Sequence, residues 1–208
     1  MSSAFPPEYF RRHDESSDAL FYNFPRLVVH IDDHAIAALT NLYRQLLPSD
    51  GVVLDLMSSY RSHLPDDVPL AGVTALGMNE VELAQNPQLD SYVVHDLNQQ
   101  PVLPFEDTAF DAVVCAVSVQ YLTRPVEVFR EVHRVLKPGG VFAVAFSNRC
   151  FPTKAVAIWQ VSSDQEHIAL VTQYFQQSGS WYGMDTLAAE SAGHDPLFAV
   201  WARKSSVD

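Results

Sequence analysis

Cysteine is nearly absent from this 208-residue sequence: Cys115 and Cys150 are the only two. Two cysteines make no disulfide framework, so a hydrophobic core has to hold the fold. Cys115 lies in an apolar run and reads as a small buried hydrophobe. Basic residues are also scarce. Thirteen Lys and Arg stand against 25 Asp and Glu, a formal charge of -12. So acidic a surface repels phosphate backbones, and the basic pairs Arg11-Arg12 and Arg203-Lys204 are short, so no nucleic-acid partner is expected. Long apolar runs are missing as well. None is long enough to span a bilayer, and the opening "MSSAFPPEYFRRHDESSD" lacks an apolar stretch after its start. A cytoplasmic protein with no membrane partner is the expectation, and a small molecule is the expected ligand class.

What is present supports one globular domain over residues 1–208. With 48% hydrophobic residues and 18% charged, the chain can bury a full core. Residues 1–32 form an N-terminal arm with Phe5, Tyr9, Phe10, Phe21, Tyr22 and Phe24, too aromatic for a disordered tail. Residues 33–208 form the core domain. Ile36, Leu39, Leu42, Tyr43 and Leu46 recur at helical spacing, and Pro48 with Gly51 closes that helix. Strands follow at 51–56, 72–77, 91–97, 109–119 and 141–147, with helices at 79–86, 124–140 and 162–179 between or after them. In the third helix a Ser or Asp serves as cap, and in the second Pro138-Gly139-Gly140 acts as the stop. Alternation of this kind predicts a doubly wound α/β fold, a mostly parallel sheet with helices on both faces. Two last strands, "WYGMDTLAAE" and "PLFAVWARK", flank the short turn "SAGHDP". No parallel crossover is that short, so they form an antiparallel pair at one sheet edge.

A shortage of glycine raises the functional question. In "VLDLMSSYRSHLP", Val53 to Pro65, a strand runs into a turn where a nucleotide-like ligand needs close backbone approach, yet Met57, Ser59 and Arg61 stand where glycines are expected. The segment "HDLNQQPVLPFEDTAFDAVVCAVSVQYLTRPVEVFREVHRVLKPGGVFAVAFS" carries the counter-signal. An acidic residue after the third strand, then "LPFEDTAFDAVV", then "EVHRVLKPGG" before a strand, resembles the class I S-adenosylmethionine-dependent methyltransferases over residues 50–150. That resemblance implies a seven-stranded sheet with its last strand antiparallel. It implies S-adenosyl-L-methionine as cofactor and methyl transfer to a small-molecule acceptor. It also implies that Asp55 opens the cofactor motif, with Met57, Ser59 and Arg61 in its glycine places. Asp96 matches the acid facing the adenine amino group, and Leu97 the neighbour whose backbone N–H faces the ring. Gly77 occupies the place of the ribose-binding acid, with Asn79 or Glu80 as substitutes. Val117 opens the stretch after the fourth strand that faces the transferable methyl.

Physically, Ser58 and Ser59 are small and can donate to a carboxylate, while Arg61 offers a fixed positive charge with bidentate geometry. A side-chain clamp thus replaces the glycine cradle, and Pro65 truncates the helix that ordinarily follows. The glycine-poor turn equally suits a non-catalytic cofactor-binding or partner-binding protein of the same fold. "HIDDH", His30 to His34, reads either as an acid/base pair involving His30 and Asp33 or as a helix cap built on Asp32 or Asp33, and its spacing matches no dedicated metal site. Tyr121 is a third catalytic candidate. Gln120, Tyr121, Asn148 and Arg149 leave strand ends on the rim where acceptors bind.

Overall fold

In the computed structural model, which describes residues 5–206, one seven-stranded sheet runs in the order β3-β2-β1-β4-β5-β7-β6. Residues 1–4, the tip of the expected arm, lie outside the described residues. The strands are β1 (Gly51–Ser58), β2 (Leu70–Gly77), β3 (Ser91–Val94), β4 (Phe110–Ala116), β5 (Leu136–Phe146), β6 (Trp181–Ala189) and β7 (Leu197–Lys204). The first five are parallel, β7 enters antiparallel to β5, and β6 pairs antiparallel with β7 at the edge. The two strands pair antiparallel, as the short turn between them required, and the second of them, β7, lies between β5 and β6.

Strand alternation sends successive side chains to opposite faces, which divides the core in two. Leu54, Leu56, Val113, Phe142 and Val144 face helices α4 (Pro125–Val135) and α6 (Asp164–Ser178). Val53, Ala112, Val114, Val141 and Ala143 face α2 (Asp33–Leu46). Helix α2 starts where the polar cluster predicted a cap: the Asp32 carboxylate accepts from Ala35 N at 2.9 Å. Ser163 and Glu166 close a capping box on α6. No helix joins β1 to β2, in keeping with the truncation expected from Pro65.

Several boundaries differ from the sequence reading. Helix α4 ends at Val135, and the Lys-Pro-Gly-Gly run opens β5. There Lys137 Nζ donates to Asp111 Oδ2 at 2.7 Å, the same oxygen accepts from Val52 N at 2.9 Å, and a Cβ on Gly140 would lie 3.0 Å from the Asp111 carbonyl oxygen. The "FD" and "LKPGG" segments are thus one tie across β1, β4 and β5. Strand β3 stops at Val94 because Asp96 turns the chain, its Oδ1 accepting from Asn98 N and Gln99 N. Strand β4 stops at Ala116 because Val117 adopts φ +51° and a 3-10 turn follows at Val119–Tyr121. Two short helices, α1 (Asp18–Phe21) and α5 (Ala157–Val161), have no counterpart in the sequence reading; neither carries a side-chain cap that would have marked it.

Candidate functional site

Beyond the carboxyl ends of β1, β2 and β4 lies a cavity of about 320 Å³. Its floor contains Asp55 and Leu76, and residues of the N-terminal arm, Tyr22, Arg26 and His30 among them, close over it. This is the rim of an open parallel sheet where ligands bind.

Met57, His63 and Val117 all line the cavity, and all three have positive φ, at 58°, 58° and 51°. Side chains rarely take that region, least of all a β-branched one, and each such residue stores on the order of 1–3 kcal/mol. At Met57 the backbone keeps the conformation a glycine would take, now with a side chain attached. The rest of the turn departs from the expected clamp. Ser58 Oγ donates to Asp55 Oδ2 at 2.5 Å, and Ser59 Oγ donates to Glu82 Oε2 at 2.6 Å. Arg61 lies 3.8 Å from the Tyr60 ring centroid and donates to Tyr60 Oη at 2.8 Å, with no acidic partner among the described residues. Burial pushes the Asp55 carboxyl up to about 6, against the hydrogen bonds from Ser58 and Ser62 that favour its charge.

At the end of β2 the backbone rules out any side chain. A Cβ on Gly77 would stand 2.3 Å from the Ser58 carbonyl oxygen, so the extension of β1 occupies the space an acid there would need. Neither substitute offered by the sequence is free for a ligand. Asn79 borders the cavity, but its Oδ1 caps Val81 N and Glu82 N and its Nδ2 donates to Tyr22 O at 2.7 Å. Glu80 is exposed and lies off the cavity lining. The acid that does face the cavity is Glu82, buried and also accepting from Arg26 N at 2.6 Å. Sequence reasoning missed it because Asn79-x-x-Glu82 matches a helix-capping pattern and explains itself without a ligand.

Asp96 and Leu97 line the cavity as expected. While Asp96 Oδ1 takes the two turn amides, Oδ2 is buried with no hydrogen-bond partner among the described residues. A buried acceptor left open is costly, and at the edge of a cavity it is an empty docking point for a donor.

Of the rim candidates, His30, Tyr121 and Arg149 line the cavity. Gln120 does not: it is fully buried and donates to Val117 O at 3.0 Å, bracing the strained turn from behind. Asn148 is exposed and Asp33 is the first residue of α2, both off the cavity lining. Desolvation holds the His30 imidazole below its usual pKa, so it is neutral at pH 7. Burial pushes the Tyr121 phenol up to about 12; its oxygen accepts from Phe151 N at 2.8 Å. Arg149 Nε pairs with Asp195 at 2.7 Å. No group of three metal-ligating side chains occurs among the described residues.

The arm is fixed by a buried ionic knot. Arg12 Nη1 donates to both Asp18 oxygens at 2.7 and 2.8 Å, and Asn98 Nδ2 donates to Asp18 Oδ2 at 2.8 Å. Lys154, fully buried, places Nζ 3.2 Å from Asp14 and 3.3 Å from Asp18. Burial alone would raise the Asp18 pKa; Asn98, Arg12 and Lys154 together bring it below the usual value.

Comparison with known proteins agrees with this geometry. A family model described as "Methyltransferase domain" matches residues 68–144. Cycloartenol-C-24-methyltransferase 1 of Oryza sativa subsp. japonica is 34% identical over 84 residues, 36% of this chain and 24% of that protein. Demethylmenaquinone methyltransferase of Renibacterium salmoninarum is 36% identical over 78 residues, 37% of this chain and 31% of that protein. The chain thus aligns with less than a third of the length of either relative. Among solved structures, an S-adenosylmethionine-dependent methyltransferase from Mesorhizobium loti superposes with a TM-score of 0.56 at 18% identity, covering 78% of this chain and 96% of that one. The [4+2]-cyclase SpnF superposes with a TM-score of 0.58 at 16% identity, covering 81% of each chain.

Proposed function

The chain belongs to the class I S-adenosylmethionine-dependent methyltransferase family, and from that premise we propose that it transfers a methyl group from S-adenosyl-L-methionine to a small-molecule acceptor. One observation carries the cofactor reading: the buried, unpartnered Asp96 Oδ2 on the cavity wall, with the Leu97 backbone beside it, fits the exocyclic amine and ring edge of an adenine. The strained, cavity-lining Met57 and Val117 support it, since backbone strain persists where a ligand site requires it. When bound, S-adenosylmethionine supplies an electrophilic methyl on a sulfonium for in-line displacement, so positioning supplies much of the catalysis.

Each protein group then has a task. Asp96 accepts from the adenine amine. Arg61, charged and stacked on Tyr60, pairs with the methionyl carboxylate, while Ser58 and Ser59 hold the turn through Asp55 and Glu82. Glu82 retains lone pairs for the ribose hydroxyls that no residue at Gly77 can reach. His30, neutral on the rim, accepts the proton released by an O–H or N–H acceptor. Tyr121 keeps its proton at pH 7 and orients rather than deprotonates the acceptor. Net charge of -12 favours a small molecule over nucleic acid as that acceptor.

Calorimetric titration of S-adenosylmethionine into the protein and into Asp96→Asn tests the reading. A charge-assisted hydrogen bond of about 1.5–3 kcal/mol predicts a loss of roughly ten- to a hundredfold in the variant. No heat with the parent protein at millimolar ligand would hand the site to a non-catalytic partner-binding role.

A further inference from the structure

Twelve large apolar side chains are exposed among the described residues, and five of them, Leu20, Phe24, Leu27, Val28 and Val29, fall within ten residues of the arm. Val28 and Val29 are 57% and 46% exposed and also line the cavity. The mouth of the site therefore has an apolar lip. Single exposed apolar residues are ordinary on any surface, but a concentration at the mouth of a ligand site marks recognition. The lip is not a loose end: the Arg12–Asp18–Lys154 knot pins the arm before it, and the Glu82–Arg26 and Asp32–Ala35 hydrogen bonds pin it within and after.

Size decides what the lip is for. Ligand cavities commonly run from about 300 to 1,000 Å³, and this one, at about 320 Å³, is near the small end. A nucleoside-bearing cofactor takes most of that space. The head of an acceptor can enter beside His30 and Tyr22, but its remaining bulk has to lie across the mouth. We infer that the acceptor is a single amphiphilic molecule, a polar head carrying the atom to be methylated and an apolar body that lies on Leu27, Val28 and Val29. This inference rests on the methyl-transfer reading of the same cavity and adds the substrate class to it.

The test separates the two. Protein saturated with S-adenosylhomocysteine is titrated with n-alkyl 4-hydroxybenzoates of one to eight carbons, a phenolic head on an apolar chain of graded length. Burial of each methylene on the lip predicts affinity rising about two- to fourfold per carbon over the first several carbons. Leu27→Asp/Val28→Asp should flatten that slope, and because the slope is read within one variant, a general loss of affinity does not imitate it. Should that pair fail to give the parent's far-UV circular dichroism, Val28→Thr, nearly equal in volume, should lower the slope by a smaller step. A flat series in the parent, or an equally steep one in the variants, overturns the inference. A flat series together with concentration-dependent dimerisation that Leu27→Asp/Val28→Asp abolishes overturns it in favour of a self-contact. Lack of S-adenosylhomocysteine binding overturns the methyl-transfer reading instead, and the series repeated without it still reports on the lip.

Discussion

Asp55 holds a carboxyl in a dry place, and its protonation should be visible in the stability of the protein. Buried within β1, it has a folded pKa pushed up to about 6, against about 3.9 in an unfolded chain. Below the unfolded value both states are protonated and the residue costs nothing. Between the two values the unfolded chain releases its proton first, so stability falls as pH rises, reaching a penalty of about 3 kcal/mol above the folded pKa. Asp55→Asn should therefore melt with the parent at pH 3.5 and at higher temperature than the parent at pH 7.5. A constant gap across that range would show that burial does not set the carboxyl. Arg61 belongs to the same turn and makes a sharper statement about the ligand. Arg61→Ala should weaken S-adenosylmethionine roughly ten- to a hundredfold and methylthioadenosine, which has no carboxylate, much less. Equal losses measured by calorimetry would make Arg61 a support for the loop through Tyr60 only.

Among the elements, the arm is the one whose attachment is ionic rather than periodic. Asp18 sits between Arg12, Lys154 and Asn98, and removing one member of a buried charge cluster leaves the others without compensation. Asp18→Ala should lower stability by about 3–5 kcal/mol in urea denaturation. Hydrogen exchange across residues 12–31 should rise well beyond that in β4, whose amides are held in the middle of the sheet. Because Asp18, Tyr22, Arg26 and His30 line the cavity from the arm, turnover should drop more than cofactor affinity. An arm as protected in the variant as in the parent would mean that the aromatic packing of Phe21 on Phe151 holds it instead.

Across the whole molecule, periodicity and punctuation determined the scaffold. Apolar runs wrote β1, β4 and β5, helical spacing wrote α2 and α4, and the short turn before Leu197 required the antiparallel pair at the sheet's end. These features are legible because burial repeats along one element at a fixed period, so neighbours in sequence carry the signal. Asp55, Asp96 and Leu97 were named through the resemblance to a family motif rather than through periodicity, and all three line the cavity. Only the tertiary structure decided the rest. Glu82 meets Ser59, 23 residues away, and Arg26, 56 residues away, and local sequence could record neither contact. The closure of Gly77 by the Ser58 carbonyl depends on the register of β1 against β2. Gln120 turned out to be a brace and Arg149 a rim residue, although both follow strand ends, because one side chain points under Val117 and the other out toward Asp195. Pro138-Gly139-Gly140 reads as a helix stop in isolation, yet it serves a cross-strand tie to Asp111 that exists only once β4 and β5 are side by side. Elements follow from local periodicity; a cavity is made by segments that the chain brings together only on folding.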